Sequence, residues 1–127
     1  MHSRDDILPV IEEVLRLLEA ANYSSKDQFA IRLSLEEALV NAIKHGHKDD
    51  PSKEVRLRYQ LTPHHLLAEI EDQGPGFKMS DVADPCAPEN LERPCGRGLL
   101  LMRRYMTSVR FNATGNCVIL CRRRSDA

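Results

Sequence analysis

A chain of 127 residues is long enough to build one core and short for two domains of ordinary size. Hydrophobic residues at 42% and charged residues at 29% give the balance of a soluble globular protein, and a formal net charge of −1 offers no case for nucleic acid or a membrane as partner. Aromatic residues reach only 5%, without tryptophan, which further weakens a base-stacking role.

Residues 5–22 carry Ile7, Leu8, Ile11, Val14, Leu15 and Leu18 at helical spacing and predict a first amphipathic helix. Pro9 falls in its first turn, where proline is tolerated, and Ser3, Asp5 or Asp6 can cap it. The pattern breaks over 22–25. The stretch 28–50 then reads as a long helix, capped by Ser24 or Ser25, with Asp27 placed to suit its dipole and Gly46 to stop it. Ile31, Leu35, Ala38, Leu39, Ala42 and Ile43 share its core face. Opposite them, Glu37, Asn41 and Lys44 recur at i, i+4 and i+7, with His45 alongside. A carboxylate, an amide and an ammonium on one stripe can address a metal-bound anion; the same stripe also reads as a solvated face with helical ion pairing.

Residues 54–61 alternate strictly between apolar and polar and predict a half-buried strand, and 66–71 form its return after a turn at 62–65. His64 and His65 are adjacent, so their side chains diverge and suit no shared metal. The sequence DQGPGF follows at 72–77, and then an irregular, proline-containing stretch of a length typical of a lid, about 78–95. Gly96-Arg97-Gly98 leads into an apolar helix predicted over 99–106. Strands over 108–112 and 117–122 flank a turn, and the basic, then polar tail 122–127 is predicted to fray. The order predicts a single α+β domain over 1–127: a two-layer sandwich with helices on one face of a mainly antiparallel mixed sheet.

The four cysteines, Cys86, Cys95, Cys117 and Cys121, form no CxxC pair. Cys117 and Cys121 would stand roughly 13 Å apart on one strand, too far to bridge, so reduced thiols in a cytoplasmic protein are expected. No apolar run approaches the ~20 residues of a membrane span, and residues 1–6 are too polar for a signal peptide.

Two glycine-bearing stretches carry candidate chemistry. At a strand tip, Asp72 can accept the exocyclic amine hydrogen of adenine, while Gly74 and Gly76 permit close backbone approach; a plain Asp-Gly turn uses the same residues. Gly96 and Gly98 before an apolar helix put backbone N–H groups where a phosphate binds well, or serve as a hinge. They are no dinucleotide fingerprint, since position 101 is leucine.

A polar-striped helix, an Asp-x-Gly-x-Gly strand end, a lid and a Gly-x-Gly helix start, in that order, resemble the ATP-binding domain of the GHKL superfamily, from about Ile7 to Cys121. Within it, EEALVNAIKHG, DQGPGF and CGRGLLLMRRYMTSVRF look most like the small bacterial anti-sigma factor serine/threonine kinases. The resemblance implies a GHKL (Bergerat) fold that binds ATP with Mg²⁺, sequesters a sigma factor and phosphorylates an anti-sigma-factor antagonist of the STAS type. It implies Glu37 as catalytic base and Asn41 as the amide holding Mg²⁺, with Lys44 and His45 near the phosphate chain. Asp72 matches the adenine-recognising carboxylate, with Gly74 and Gly76 shaping its pocket. Gly96 and Gly98 match the glycines facing the phosphates, and Arg93 or Arg97 would neutralise the γ-phosphate.

Two departures stand out. The family opens with a strand for which only residues 1–4 are available here, so that edge is expected to be missing, or supplied by a partner or by upstream residues; this, with the resemblance, suggests a homodimer. The family also often places Thr after the glycine of its last hairpin, where this chain has Asn116, a residue able to hydrogen-bond near adenine. Two other readings stay open: the catalytic domain of a histidine kinase, and a non-catalytic, nucleotide-gated binding module. Against the former, none of His2, His45, His47, His64 and His65 stands on a helix that would present a phosphoacceptor.

Overall fold

The computed structural model describes residues 3–46, 54–72, 94–112 and 116–125. A single 3₁₀ turn, Arg4–Asp6, leads into α1 (Ile7–Ala20), and the Asp6 carboxylate accepts from the Ser3 N–H at 3.2 Å. Arg4 thus lies in a helical turn and contributes no edge strand. α1 ends on Asn22 at φ 63°, with Asn22 N–H donating to the Glu19 carbonyl and Tyr23 N–H to the Leu18 carbonyl, both at 3.0 Å. This is the left-handed helix stop that glycine usually supplies and asparagine tolerates.

α2 spans Ser25–Asn41 and is capped by Ser24, whose Oγ accepts from the Asp27 N–H at 3.1 Å. The expected core face is observed: Ile31, Leu35, Ala38, Leu39, Ala42 and Ile43 are all buried. Where the periodicity predicts an uninterrupted α-helix to Gly46, residues Ala42–Gly46 form a π-helical turn. The wider i→i+5 turn moves Lys44 off the strict α-helical stripe of Glu37 and Asn41.

Four strands follow: β1 (Arg56–Leu61), β2 (His65–Glu71), β3 (Ser108–Phe111) and β4 (Cys117–Arg123), with α3 (Pro94–Tyr105) between β2 and β3. The sheet order is β1-β2-β4-β3, and every pairing among the described strands is antiparallel, so no parallel member of the expected mixed sheet is found there. Register places Ala68 opposite Leu120 and Ile70 opposite Val118. These residues and Leu66 are buried and join one core with Ile11, Val14, Leu18, Leu35, Leu39, Ile43, Met102 and Met106 of the helical layer. Residues of alternate parity, among them Arg56, Arg58 and Glu69, occupy the other face, as the period-2 pattern dictates. Arg58 and Glu69 are cross-strand partners and form an ion pair there. The result is a two-layer α+β sandwich.

α3 begins five residues earlier than the sequence predicts, at Pro94. Proline suits the first helical position because its missing N–H is one that has no intrahelical partner there, so Gly96-Arg97-Gly98 lies inside the helix rather than before it.

Candidate functional site

The long helix α2 is fastened at one end and carries the polar stripe at the other. Near its start, Asp27 is fully buried. Its Oδ1 accepts from Arg122 Nε at 3.1 Å, Arg122 Nη2 at 2.8 Å and Ser125 Oγ at 2.7 Å, while Oδ2 accepts from the Ser125 N–H at 2.9 Å. Burial pushes this carboxyl up, but the hydrogen bonds from Ser125, Arg122 and Ser24 outweigh it and hold it below its ordinary value. Arg122 Nη1 also donates to the Tyr105 carbonyl at the end of α3. Arg124 stacks 5.1 Å over the buried Tyr23 ring and donates to the carbonyls of Ala21 and Asn22. The tail predicted to fray is thus docked through Ser125.

α2 and α3, which carry candidate residues, meet β4 at this clasp. Phe29 of α2 meets Tyr105 of α3 edge-to-face, with centroids 5.9 Å apart, so the start of one helix packs on the end of the other. About 21 Å of helical rise separates Asp27 from Asn41. Glu37 and Asn41 are half-buried, one turn apart, whereas Glu36 beside them is exposed and Lys44 is exposed on the π turn. His45 belongs to the same turn. In α3, Gly96 and Arg97 fall among the first four residues, whose N–H groups lack intrahelical acceptors; Gly98 falls one position beyond.

At the far end of the sheet, Asp72 and Asn116 are brought together. The Asp72 N–H donates to the Asn116 carbonyl at 2.9 Å, and Asn116 Nδ2 donates back to the Asp72 carbonyl at 3.3 Å. Continuing the β2 alternation of buried Leu66, Ala68 and Ile70 by one step puts Asp72 on the helix-covered side of the sheet. Asn112, which the sequence reading passed over, completes this cluster: its Nδ2 donates to Asn116 Oδ1 at 2.7 Å, and its Oδ1 accepts from the Cys117 N–H at 3.2 Å. The signal available for it was only a second asparagine four residues from the first, either side of a turn. Gly74, Gly76, Arg93 and the lid stretch up to residue 93 lie outside the described residues.

For Mg²⁺, Asn41 offers one neutral amide oxygen on a half-buried residue, one helical turn from Glu37. That donor set fits an ion that keeps water and arrives on phosphate oxygens, rather than one caged by protein. Among the described residues there is no cluster of three or more His, Cys, Asp or Glu able to hold a metal. Cys117 and Cys121 are free thiols, and burial together with the neighbouring Glu69 pushes Cys117 up to about 11. No helix among the described residues is long and apolar enough to cross a membrane.

A family profile described as a histidine kinase-like ATPase domain matches residues 3–122. Serine-protein kinase RsbW of Oceanobacillus iheyensis is 26% identical over 88 residues, which cover 65% of this chain and 56% of that protein. Serine-protein kinase RsbW of Bacillus licheniformis is 31% identical over 94 residues, covering 69% of this chain and 59% of that protein. The matches thus span less than three fifths of these relatives.

Proposed function

Because the chain belongs to the histidine kinase-like ATPase domain family, we propose that it is an ATP-dependent protein serine/threonine kinase of the anti-sigma factor type. In this reading it binds a sigma factor in the cytoplasm, phosphorylates a STAS-type antagonist and so switches transcription by partner exchange, acting as a homodimer. The observation that carries the site is the half-burial of Glu37 and Asn41 while neighbouring Glu36 is exposed, since a merely solvated stripe has no reason to sink these two residues. The similarity to serine-protein kinases RsbW favours hydroxyl transfer over a histidine acceptor.

The layout supports one pocket. Asn41 lies about 21 Å along α2 from the clasp, and Asn116, the residue just before β4, lies about 20 Å along the chain from Arg122 in the same clasp. α3 runs from its N-terminal glycines to Tyr105 at that clasp. Asp72 would then accept from the adenine amine, and the N–H groups of the first turn of α3, which have no intrahelical acceptors, would face the phosphates with Arg97, joined by Lys44, His45 and Arg93. Gly74 and Gly76 would let the backbone approach the base. Asn41 would hold Mg²⁺, which supplies neutralisation of phosphate charge. Glu37 would take the proton of the incoming serine hydroxyl as its oxygen bonds the γ-phosphorus and ADP leaves. Phosphoryl transfer needs little beyond such positioning and one base.

The test is γ-labelled ATP with Mg²⁺, this protein and lysate of its source organism, beside Glu37→Gln. Acid-stable label on a small protein, lost with Glu37→Gln while ATP still binds, is expected. Acid-labile, base-stable label would mean a histidine acceptor and contradict the proposal. ATP binding with no label transferred would reduce the protein to a nucleotide-gated binding module.

A further inference from the structure

The asparagine pair beside Asp72 is more than a turn fastening. Both backbone groups of Asp72 bond to one residue: its N–H to the Asn116 carbonyl, its carbonyl to Asn116 Nδ2. An asparagine side chain can present either its oxygen or its nitrogen, and nothing in Asn116 itself chooses between them. The Asp72 carbonyl can only accept and so favours the NH₂, and Asn112 reinforces that choice. By donating from Nδ2 to Asn116 Oδ1 at 2.7 Å, it commits that oxygen and turns the Asn116 NH₂ toward Asp72. Asn112 is itself oriented by the Cys117 N–H donating to its Oδ1, so the direction of donation is fixed from backbone to Asp72 in one chain.

We infer that Asn112 is a positioning residue for nucleotide recognition, setting the preference for adenine over guanine by orienting Asn116 and, through it, the Asp72 segment. The inference rests on the reading of Asp72 as the adenine-contacting carboxylate. A carboxylate discriminates the adenine amine from the guanine carbonyl only while it is held in the base plane, and a misplaced acceptor loses that selectivity before it loses all binding. The contrasting possibility is a hairpin clamp, with Asn112 serving only to tie the end of β3 to the start of β4.

One substitution separates the two. Asn112→Asp keeps an oxygen for the Cys117 N–H, so a clamp survives, but it cannot donate to Asn116 Oδ1. Two oxygens then face each other. Asn116 gives its NH₂ to the new carboxylate and turns its own oxygen on the Asp72 carbonyl. Calorimetric titration of the full chain with ATP and with GTP, both with Mg²⁺, reads the outcome, together with a thermal melt of each variant. The expected result is a fall in ATP-over-GTP preference of about three- to tenfold, the equivalent of one net hydrogen bond, at nearly unchanged melting temperature. In an Asn116→Ala background, Asn112→Asp should have no further effect on that preference, because the relay is already cut.

An unchanged preference, or equal weakening of both nucleotides in step with a lower melting temperature, overturns the inference in favour of the clamp. Asp72→Asn serves as the control for the underlying reading. If it abolishes the preference and Asn112→Asp does not alter it, the inference alone fails. If Asp72→Asn leaves ATP binding as in the wild type, the reading of the pocket fails and takes the inference with it.

Discussion

The two ends of α2 are built on opposite plans. At its start, a buried carboxylate is met by a guanidinium, a hydroxyl and a backbone N–H, and one arginine holds α2, α3 and β4 together. At its far end the helix gives way to a π turn, and Glu37 and Asn41 are half-buried while Lys44 is exposed. The lesson is a division of labour. Tight polar satisfaction at one end fixes where three elements point, so the other end, where the proposed site residues stand, does not have to hold the fold together. The structural ion pair and the proposed Mg²⁺ ligand Asn41 thus stand on one helix but about four turns apart.

Breaking the clasp should have the largest effect. Arg122→Ala leaves the Asp27 carboxylate buried without its cation and is expected to lower stability by about 3–5 kcal/mol in denaturant unfolding. Asp27→Asn should be milder, and its deficit should be pH-dependent. The carboxyl is held below the ~3.9 of an unfolded aspartate, so its contribution is complete above about pH 4 and fades as pH falls through the depressed folded value. Wild type and Asp27→Asn should therefore converge in stability in acid. Curves that stay parallel down to pH 2 would remove the clasp from its role.

The middle of α2 sharpens the comparison. Ser34 is fully buried, and its Oγ has no hydrogen-bond partner among the described residues. Ser34→Ala removes that unmet hydroxyl and improves helix propensity, so a gain of roughly 1 kcal/mol is expected by the same unfolding measurement. The smallest effect concerns the sheet. With its thiol pushed up to about 11 by burial and by Glu69, Cys117 should alkylate more slowly than the half-buried Cys121 in peptide-mapped labelling at pH 8. Equal rates would show the Glu69 side of the sheet to be open.

Much of this was legible in the sequence, but unevenly. The core face of α2 followed from spacing alone, because burial at i, i+3 and i+4 is a local property, and the strand alternation around Ala68 and Ile70 is equally local. Asp27 was not legible. Read locally it is a dipole-friendly carboxylate, and the partners that make it a buried anchor, Arg122 and Ser125, lie 95 and 98 residues away. The same distance explains why the tail reads as frayed. The early start of α3 was hidden by two glycines of low helix propensity, although Pro94 stood where a first helical residue is expected. The stripe of Glu37 and Asn41 followed from spacing, while their half-burial needed the packed structure. Asn112 escaped because an amide's role depends on which neighbour it faces, and sequence carries no such direction.

The division between a fastening end and a proposed ligand end is most directly tested by amide hydrogen exchange with and without ATP and Mg²⁺. Nucleotide is expected to slow exchange at residues 37–45, at 95–98, and at Asp72 and Asn116, while residues around Asp27 and Arg122 are already slow and change little. Protection confined to the Asp27–Arg122 end, or none anywhere at saturating ATP, would contradict that division.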